Sequence, residues 1–344
     1  MDRSARLRTP DDYGQSLENS LVALTPGAET QSHVAMEIID AQVHLNMLLP
    51  DWRNVDLDPG VVAGVAAMDA VGIDRVLIAE SWGFDAQMRP ARATVLPNGA
   101  VRMAFPFSER AVALYPERFV SLRRVDHRDP KLEQLVAEVR SQPGALCLRV
   151  VPIVDTGEVD AFERGEFEPL FAAAEQHDVP IFASLPGRGH MLAHYLRTFP
   201  KLQVILDHTG VGVEPPRIGT IAPTLARSVV PTLDARLAQL DQVIDLAQYP
   251  NLSLKWCHAP ARLSAEPYPH RDVLPHLRRV IDAFGIERVV WASDFTQSFH
   301  TFGRPWAEAL HYLLDSDQLS DSEKTWLFGR SLRRILRWPG DNPE

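Results

Sequence analysis

At 344 residues, 45% of them hydrophobic and 23% charged, the chain can bury a sizeable core, as two ordinary domains or as one large α/β domain. Its 45 acidic residues outnumber 35 basic ones, for a net charge of -10, and no run of Lys and Arg offsets that balance. Nucleic acid and anionic membrane are therefore poor partners, which leaves a small molecule or a second copy of the chain. Two cysteines, the lack of any apolar stretch near 18 residues and the lack of a signal-peptide pattern predict buried free thiols, no membrane span and a cytoplasmic setting.

Residues 1–35 mix charge, Pro, Gly, Ser and Thr without periodicity and read as an N-terminal arm, in part without fixed structure. From Met36 onward the chain reads as one domain, 36–344. Eight β-rich runs follow in order: EIIDAQVHL, DRVLIAE, RFVSLRRV, ALCLRVV, PIFASL, LQVILD, NLSLKW and RVVWAS. Between them lie amphipathic stretches such as GVVAGVAAMDAVG, DPKLEQLVAEVRSQ, FEPLFAAAEQHD, PTLDARLAQLDQVIDLAQ and DVLPHLRRVIDAFG, with apolar residues every three to four positions. Gly or Pro punctuates the junctions, as in AVGID, QPGAL and AFGIE. Eight consecutive β/α units predict a closed (β/α)8 barrel. A doubly wound sheet would give similar local patterns, but no G-x-G-x-x-G follows an early strand. Two insertions, 81–98 and 209–230, follow strands and would lie over the catalytic face.

In such a barrel the reacting groups close the strands at their C-terminal ends. The first run is the most telling: strict alternation would put Asp40, Gln42 and His44 on one face and Ile39, Ala41 and Val43 on the other. The remaining strands end in Glu80 and Trp82, Asp126 and His127, Arg149, Ser184, Asp207 and His208, Lys255 to His258, and Ser293 and Asp294. Cys257 and His258 make a poor nucleophilic couple on a continuing strand, because adjacent residues face opposite ways.

DAQVHL, VILDHTG and RVVWASDF, with the approach DVLPHLRRVIDAFGIE and the closing helix EKTWLFGRSLRRIL, resemble the amidohydrolase superfamily. The resemblance is to the branch that includes aminocarboxymuconate semialdehyde decarboxylase, pyrone dicarboxylate lactonase and sugar lactonases. It implies a distorted (β/α)8 TIM barrel with a C-terminal helix. The site it implies has an H-x-H pair on strand one, a His on strands five and six and an Asp on strand eight. His44, His208 and Asp294 match that pattern, whereas Gln42 stands at the first His of the pair and Ser184 at the strand-five His.

A Gln amide and a Ser hydroxyl are poor zinc ligands, so the expectation is no metal, or a weakly bound zinc or manganese on His44 and Asp294. The resemblance and the strand-end set together predict a hydrolase of a small cyclic ester or amide, first a carboxylated lactone. Asp294 would activate water with help from His208 and His44. Gln42, Arg149, Ser184, Lys255 and Trp82 would bind substrate. The alternatives are a non-oxidative decarboxylase of an aromatic or muconate-type acid, or a ligand-binding barrel without catalysis. An acidic surface is compatible with a monomer or a homodimer.

Overall fold

All eight predicted runs form strands, and the strands lie parallel in one sheet whose order follows the chain, save for a hairpin. In the computed structural model the described residues are 36–49, 56–80, 93–152, 156–212, 231–298 and 304–338. The barrel strands are β1 (Ile39–Val43), β2 (Arg75–Ile78), β5 (Phe119–Arg123), β6 (Ala145–Val150), β7 (Ile181–Ala183), β8 (Val204–Leu206), β9 (Leu252–Cys257) and β10 (Val289–Ala292). At the seam the Asp294 N–H donates to Gln42 O at 3.0 Å, and a parallel bridge joins Val43 to Phe295. The result is a nearly closed (β/α)8 barrel.

Helices cover the outside. Those that the amphipathic stretches predict are α1 (Asp58–Val71), α3 (Leu132–Val139), α5 (Glu168–Gln176), α7 (Leu233–Asp245) and α9 (Leu274–Phe284). Helix α9 shows why periodicity worked: Leu274, Leu277, Val280, Ile281 and Phe284 are all buried, and Gly285 stops the helix at a positive φ of 78°. The other helices are α2 (Pro106–Leu114), α4 (Glu158–Glu163), α6 (Leu192–Thr198), α8 (Ala259–Leu263), α10 (Trp306–Leu314), α11 (Asp321–Thr325) and the closing α12 (Ser331–Leu336).

An antiparallel hairpin, β3 (Ala93–Val95) with β4 (Val101–Met103), was not expected, and it begins inside the first insertion. Residues 81–92 and 213–230 of the two insertions, and the expected arm 1–35, lie outside the described residues. Residues Glu37–Glu344 form one compact unit.

The interior is layered. Ile39, Ala41, Leu77, Val120, Leu122, Leu146, Cys147, Phe182, Ile205 and Val290 form one apolar cluster, and Leu332, Ile335, Leu336 and Trp338 of the chain's end close it from below. Arg333 of α12 grips Glu37 with two hydrogen bonds, at 2.5 and 2.6 Å. Just before α12, a Cβ on Gly329 would stand 2.9 Å from Glu37 O, so only glycine lets the segment approach β1 this closely. With the lower mouth plugged, polar groups gather at the other.

One expectation about β1 needs correction. The β1–β2 register shifts between Asp40 and Val43, a bulge that breaks strict alternation. Ile39 and Ala41 join the barrel interior, and Gln42 and His44 also turn to the site. Asp40 does not share their face. Its carboxylate accepts from Trp306 Nε1 of α10 at 2.8 Å and from Ser293 N at 3.0 Å. Burial pushes that carboxyl up to about 6 despite those donors.

Candidate active site

Three polar residues at strand ends adopt a left-handed backbone that only glycine takes without cost: His208 (φ 54°), His258 (φ 56°) and Asp294 (φ 59°). Each such residue costs on the order of 1–3 kcal/mol, and such strain persists where surrounding structure dictates it, often at functional sites. The three follow β8, β9 and β10, adjacent strands on one side of the rim.

Asp294 is the hub. His258 Nε2 lies 2.6 Å from its Oδ2, His44 Nε2 lies 2.9 Å from its Oδ1, and Gln42 Nε2 donates to Oδ1 as well. His44 is set in turn by Nδ1, which donates to Ala79 O. Burial would raise the Asp294 carboxyl, but the facing His44, His258 and His208 win and hold it well below the usual carboxylate range.

A second carboxylate, the buried Asp207, organises the cations. Arg149 Nε donates to its Oδ2 at 2.9 Å, and Lys255 Nζ stands 2.7 Å from its Oδ1. Lys255, expected to bind substrate, is fully enclosed, and its ammonium also donates to Gln42 Oε1. That bond fixes the amide so that its NH2 faces Asp294. Asp207, Lys255, Gln42 and Asp294 thus form one continuous chain of contacts.

His208 lies between the two groups. Arg149 Nη2 stands 3.1 Å from its Nε2, and Cys257 Sγ stands 3.3 Å from its Nδ1. Burial first, reinforced by the Lys255, Arg262 and His258 charges, pulls His208 well below the usual imidazole range. Burial likewise lowers His258 and pushes the Cys257 thiol well up. Ligand atoms of His208, Cys257, His258 and Asp294 all lie within 4.8 Å of one another. Neutral imidazoles, an ionised carboxylate and a sulfur are donors that suit a divalent metal.

Sequence reasoning brought His44, His208, Asp294, Gln42 and Arg149 to this rim, and they meet there. Ser184 follows β7 and is buried, and its backbone N–H donates to Val150 O. Trp82 lies outside the described residues. Glu80 serves the scaffold, accepting from Phe107 N and from Ser108 N and Oγ at the start of α2. His127 stacks on Phe167 with ring centroids 3.8 Å apart.

Three contributors were missed or set aside. His258 reaches Asp294 because β9 stops at Cys257 and the left-handed turn swings the next side chain round, so Cys257 and His258 serve one cluster. The available signal was its place just past a strand end, as with Asp294. Arg124 was missed too. It stands one residue past β5, continuing the alternation of Val120 and Leu122, and no hydrogen bond or ion pair engages it among the described residues. Burial and the neighbouring Arg149 charge pull Arg124 down to about 10.

A profile of the amidohydrolase family matches residues 39–338. The chain belongs to the amidohydrolase family. An L-fucono-1,5-lactonase of Burkholderia ambifaria is 27% identical over 149 residues, a match that spans 42% of this chain and 44% of that enzyme. The chain thus matches under half the length of that curated relative. A zinc-bound amidohydrolase from Burkholderia multivorans superposes with a TM-score of 0.62 at 20% identity, over 88% of this chain and 100% of that one. A putative 2-pyrone-4,6-dicarboxylic acid hydrolase from Pseudomonas putida gives 0.57 at 15% identity, over 89% and 99%. At such identities the structural likenesses speak for the amidohydrolase fold alone. Among the described residues no helix is long and apolar enough to cross a membrane.

Proposed function

We propose that this amidohydrolase hydrolyses a small lactone that carries a carboxylate. The observation that carries the reading is Asp294, a buried carboxylate gripped by His44 and His258, on a rim that also holds Arg124 with its charge unpaired. A half-buried cation with no hydrogen bond or ion pair among the described residues, beside a second arginine, favours an anionic ligand, and a guanidinium takes a carboxylate through two parallel hydrogen bonds. The names of an L-fucono-1,5-lactonase and a putative 2-pyrone-4,6-dicarboxylic acid hydrolase support a cyclic ester as the reacting group.

In this reading Arg124 and Arg149 hold the substrate carboxylate, and His208 orients a water toward the lactone carbonyl. Asp294 takes one proton from that water as its oxygen bonds to the carbonyl carbon. The ring C–O bond then breaks, and Asp294 returns the proton to the departing ring oxygen, leaving a hydroxy acid. His44, His258 and Gln42 aim the Asp294 oxygens, while Lys255, anchored on Asp207, aims Gln42. A divalent ion held by His208, His258 and Asp294 would supply positive charge for the developing oxyanion.

The test is a panel of aldonolactones and pyrones, with and without a carboxylate, followed by proton release at constant pH. Carboxylated lactones turning over fastest, with one acid equivalent released each, is the expected result. Release of carbon dioxide instead would replace this reading with a decarboxylase, and no turnover of any lactone would refute it.

A further inference from the structure

Of the histidines that the resemblance implies on strand one and on β7, His44 is present, and Gln42 and Ser184 stand in place of the other two. Four other donors converge a short way round the rim, where the ends of β8, β9 and β10 bring His208, Cys257, His258 and Asp294 within 4.8 Å of one another. All four are buried, with His208 and His258 at 8% exposure, Asp294 at 2% and Cys257 at 1%. We propose that His208, Cys257, His258 and Asp294 form a relocated, thiolate-containing site that selects zinc-type ions over manganese or magnesium.

Three arguments converge on that assignment. The first is donor chemistry, because a sulfur, two imidazoles and a carboxylate are donors of the kind zinc prefers, zinc can add a fifth ligand during reaction, and thiolate disfavours hard oxygen-seeking ions. The second is charge. Binding releases the Cys257 proton, so thiolate and Asp294 carboxylate together offset both charges of the ion, while Asp207 is already neutralised by Arg149 and Lys255. The third is backbone. Of the four donors, three sit in left-handed conformations, and that turn puts His258 on the same side as its neighbour Cys257. Strain of this kind at ligand positions is what a loaded site would compensate.

Cys257 and His258 thus supply two donors on a rim where Gln42 and Ser184 are poor ones. The site stands apart from the substrate assigned above, because metal ligation is read without turnover.

Cobalt(II) titration of the metal-stripped full chain tests it. The expected result is one cobalt per chain with tetrahedral visible bands and a near-ultraviolet thiolate-to-cobalt charge-transfer band, displaced by zinc and not by manganese. Cys257→Ser should abolish the charge-transfer band, and His258→Ala should weaken zinc by more than the ~10–100-fold typical of losing an outer partner. His44→Ala should keep the band. X-ray absorption of the zinc-loaded wild type, which needs no variant, should show one sulfur scatterer. Cobalt bound without a thiolate band and zinc without a sulfur neighbour would overturn the proposal. So would metal binding that is lost with His44 and indifferent to Cys257 and His258.

Discussion

The two mouths of the barrel are built from the same eight strands and have opposite chemistry. At the lower mouth Leu332, Ile335, Leu336 and Trp338 seal an apolar floor, and charges such as Glu37, clamped by Arg333 and Arg75, lie around its edge. At the upper mouth two buried carboxylates, three imidazoles, two arginines and a lysine crowd together, and backbone strain collects at the strand ends. Stability is concentrated where apolar area is buried, and chemical potential where polar groups are held against their solvation preference. The chain therefore separates the cost of its site from the source of its stability by the depth of the barrel.

Mutations at the two ends should split cleanly. The largest expected effect is at the upper rim: Asp294→Asn should lower kcat about 10²–10⁴-fold on a lactone substrate, with the circular dichroism spectrum unchanged. Next comes the floor, where Leu336→Ala should cost about 2–5 kcal/mol in urea unfolding and leave KM alone. If Leu336→Ala moved KM as strongly as stability, the separation of the two mouths would be wrong. Arg124→Gln should weaken binding of a carboxylated lactone by about 1.5–3 kcal/mol, seen in KM, and spare an uncharged one.

The smallest effect concerns acid at the lower mouth. Burial would raise Glu37, but hydrogen bonds from Arg333 and Arg75 hold it below its ordinary value of 4.5. A carboxyl lowered by folding contributes stability that is full above 4.5 and is lost as pH falls through the lower, folded value. Thermal melts from pH 6 downward should show this loss beginning near 4.5, and Glu37→Gln should flatten it. An unchanged profile in Glu37→Gln would mean that the clamp adds nothing.

How much of this was legible in the letters depends on how much each feature relies on local pattern. Parallel barrel strands are buried on both faces and read as apolar runs, so VVWA and LSLKWC announced themselves. The hairpin of Ala93–Val95 and Val101–Met103 did not, because three-residue, half-exposed strands carry no such run. Among site residues, Asp294 and His208 stood at recognisable strand ends. His258 was hidden because its direction depends on a positive φ, and Arg124 because it stands just past β5 beside Arg123, which ends the strand. The β1 bulge has no letter of its own. Alternation assigned Asp40 to the site, whereas its carboxylate holds Ser293 and Trp306 instead.

The Lys255 to Gln42 bond has an evolutionary consequence. The two residues are 213 positions apart in sequence, yet a change at one alters the setting of the other. Gln42→His, the change that would complete the H-x-H pair implied by the resemblance, presses an imidazole against an enclosed ammonium whose other partner is Asp207. Lys255→Met would leave Asp207 with Arg149 alone and free the Gln42 amide to turn. A histidine at position 42 should therefore be tolerated only with a compensating change at 255, so that positions 42, 207 and 255 are expected to couple in double-mutant cycles. Relatives that carry histidine at the position of Gln42 should lack a lysine at that of Lys255.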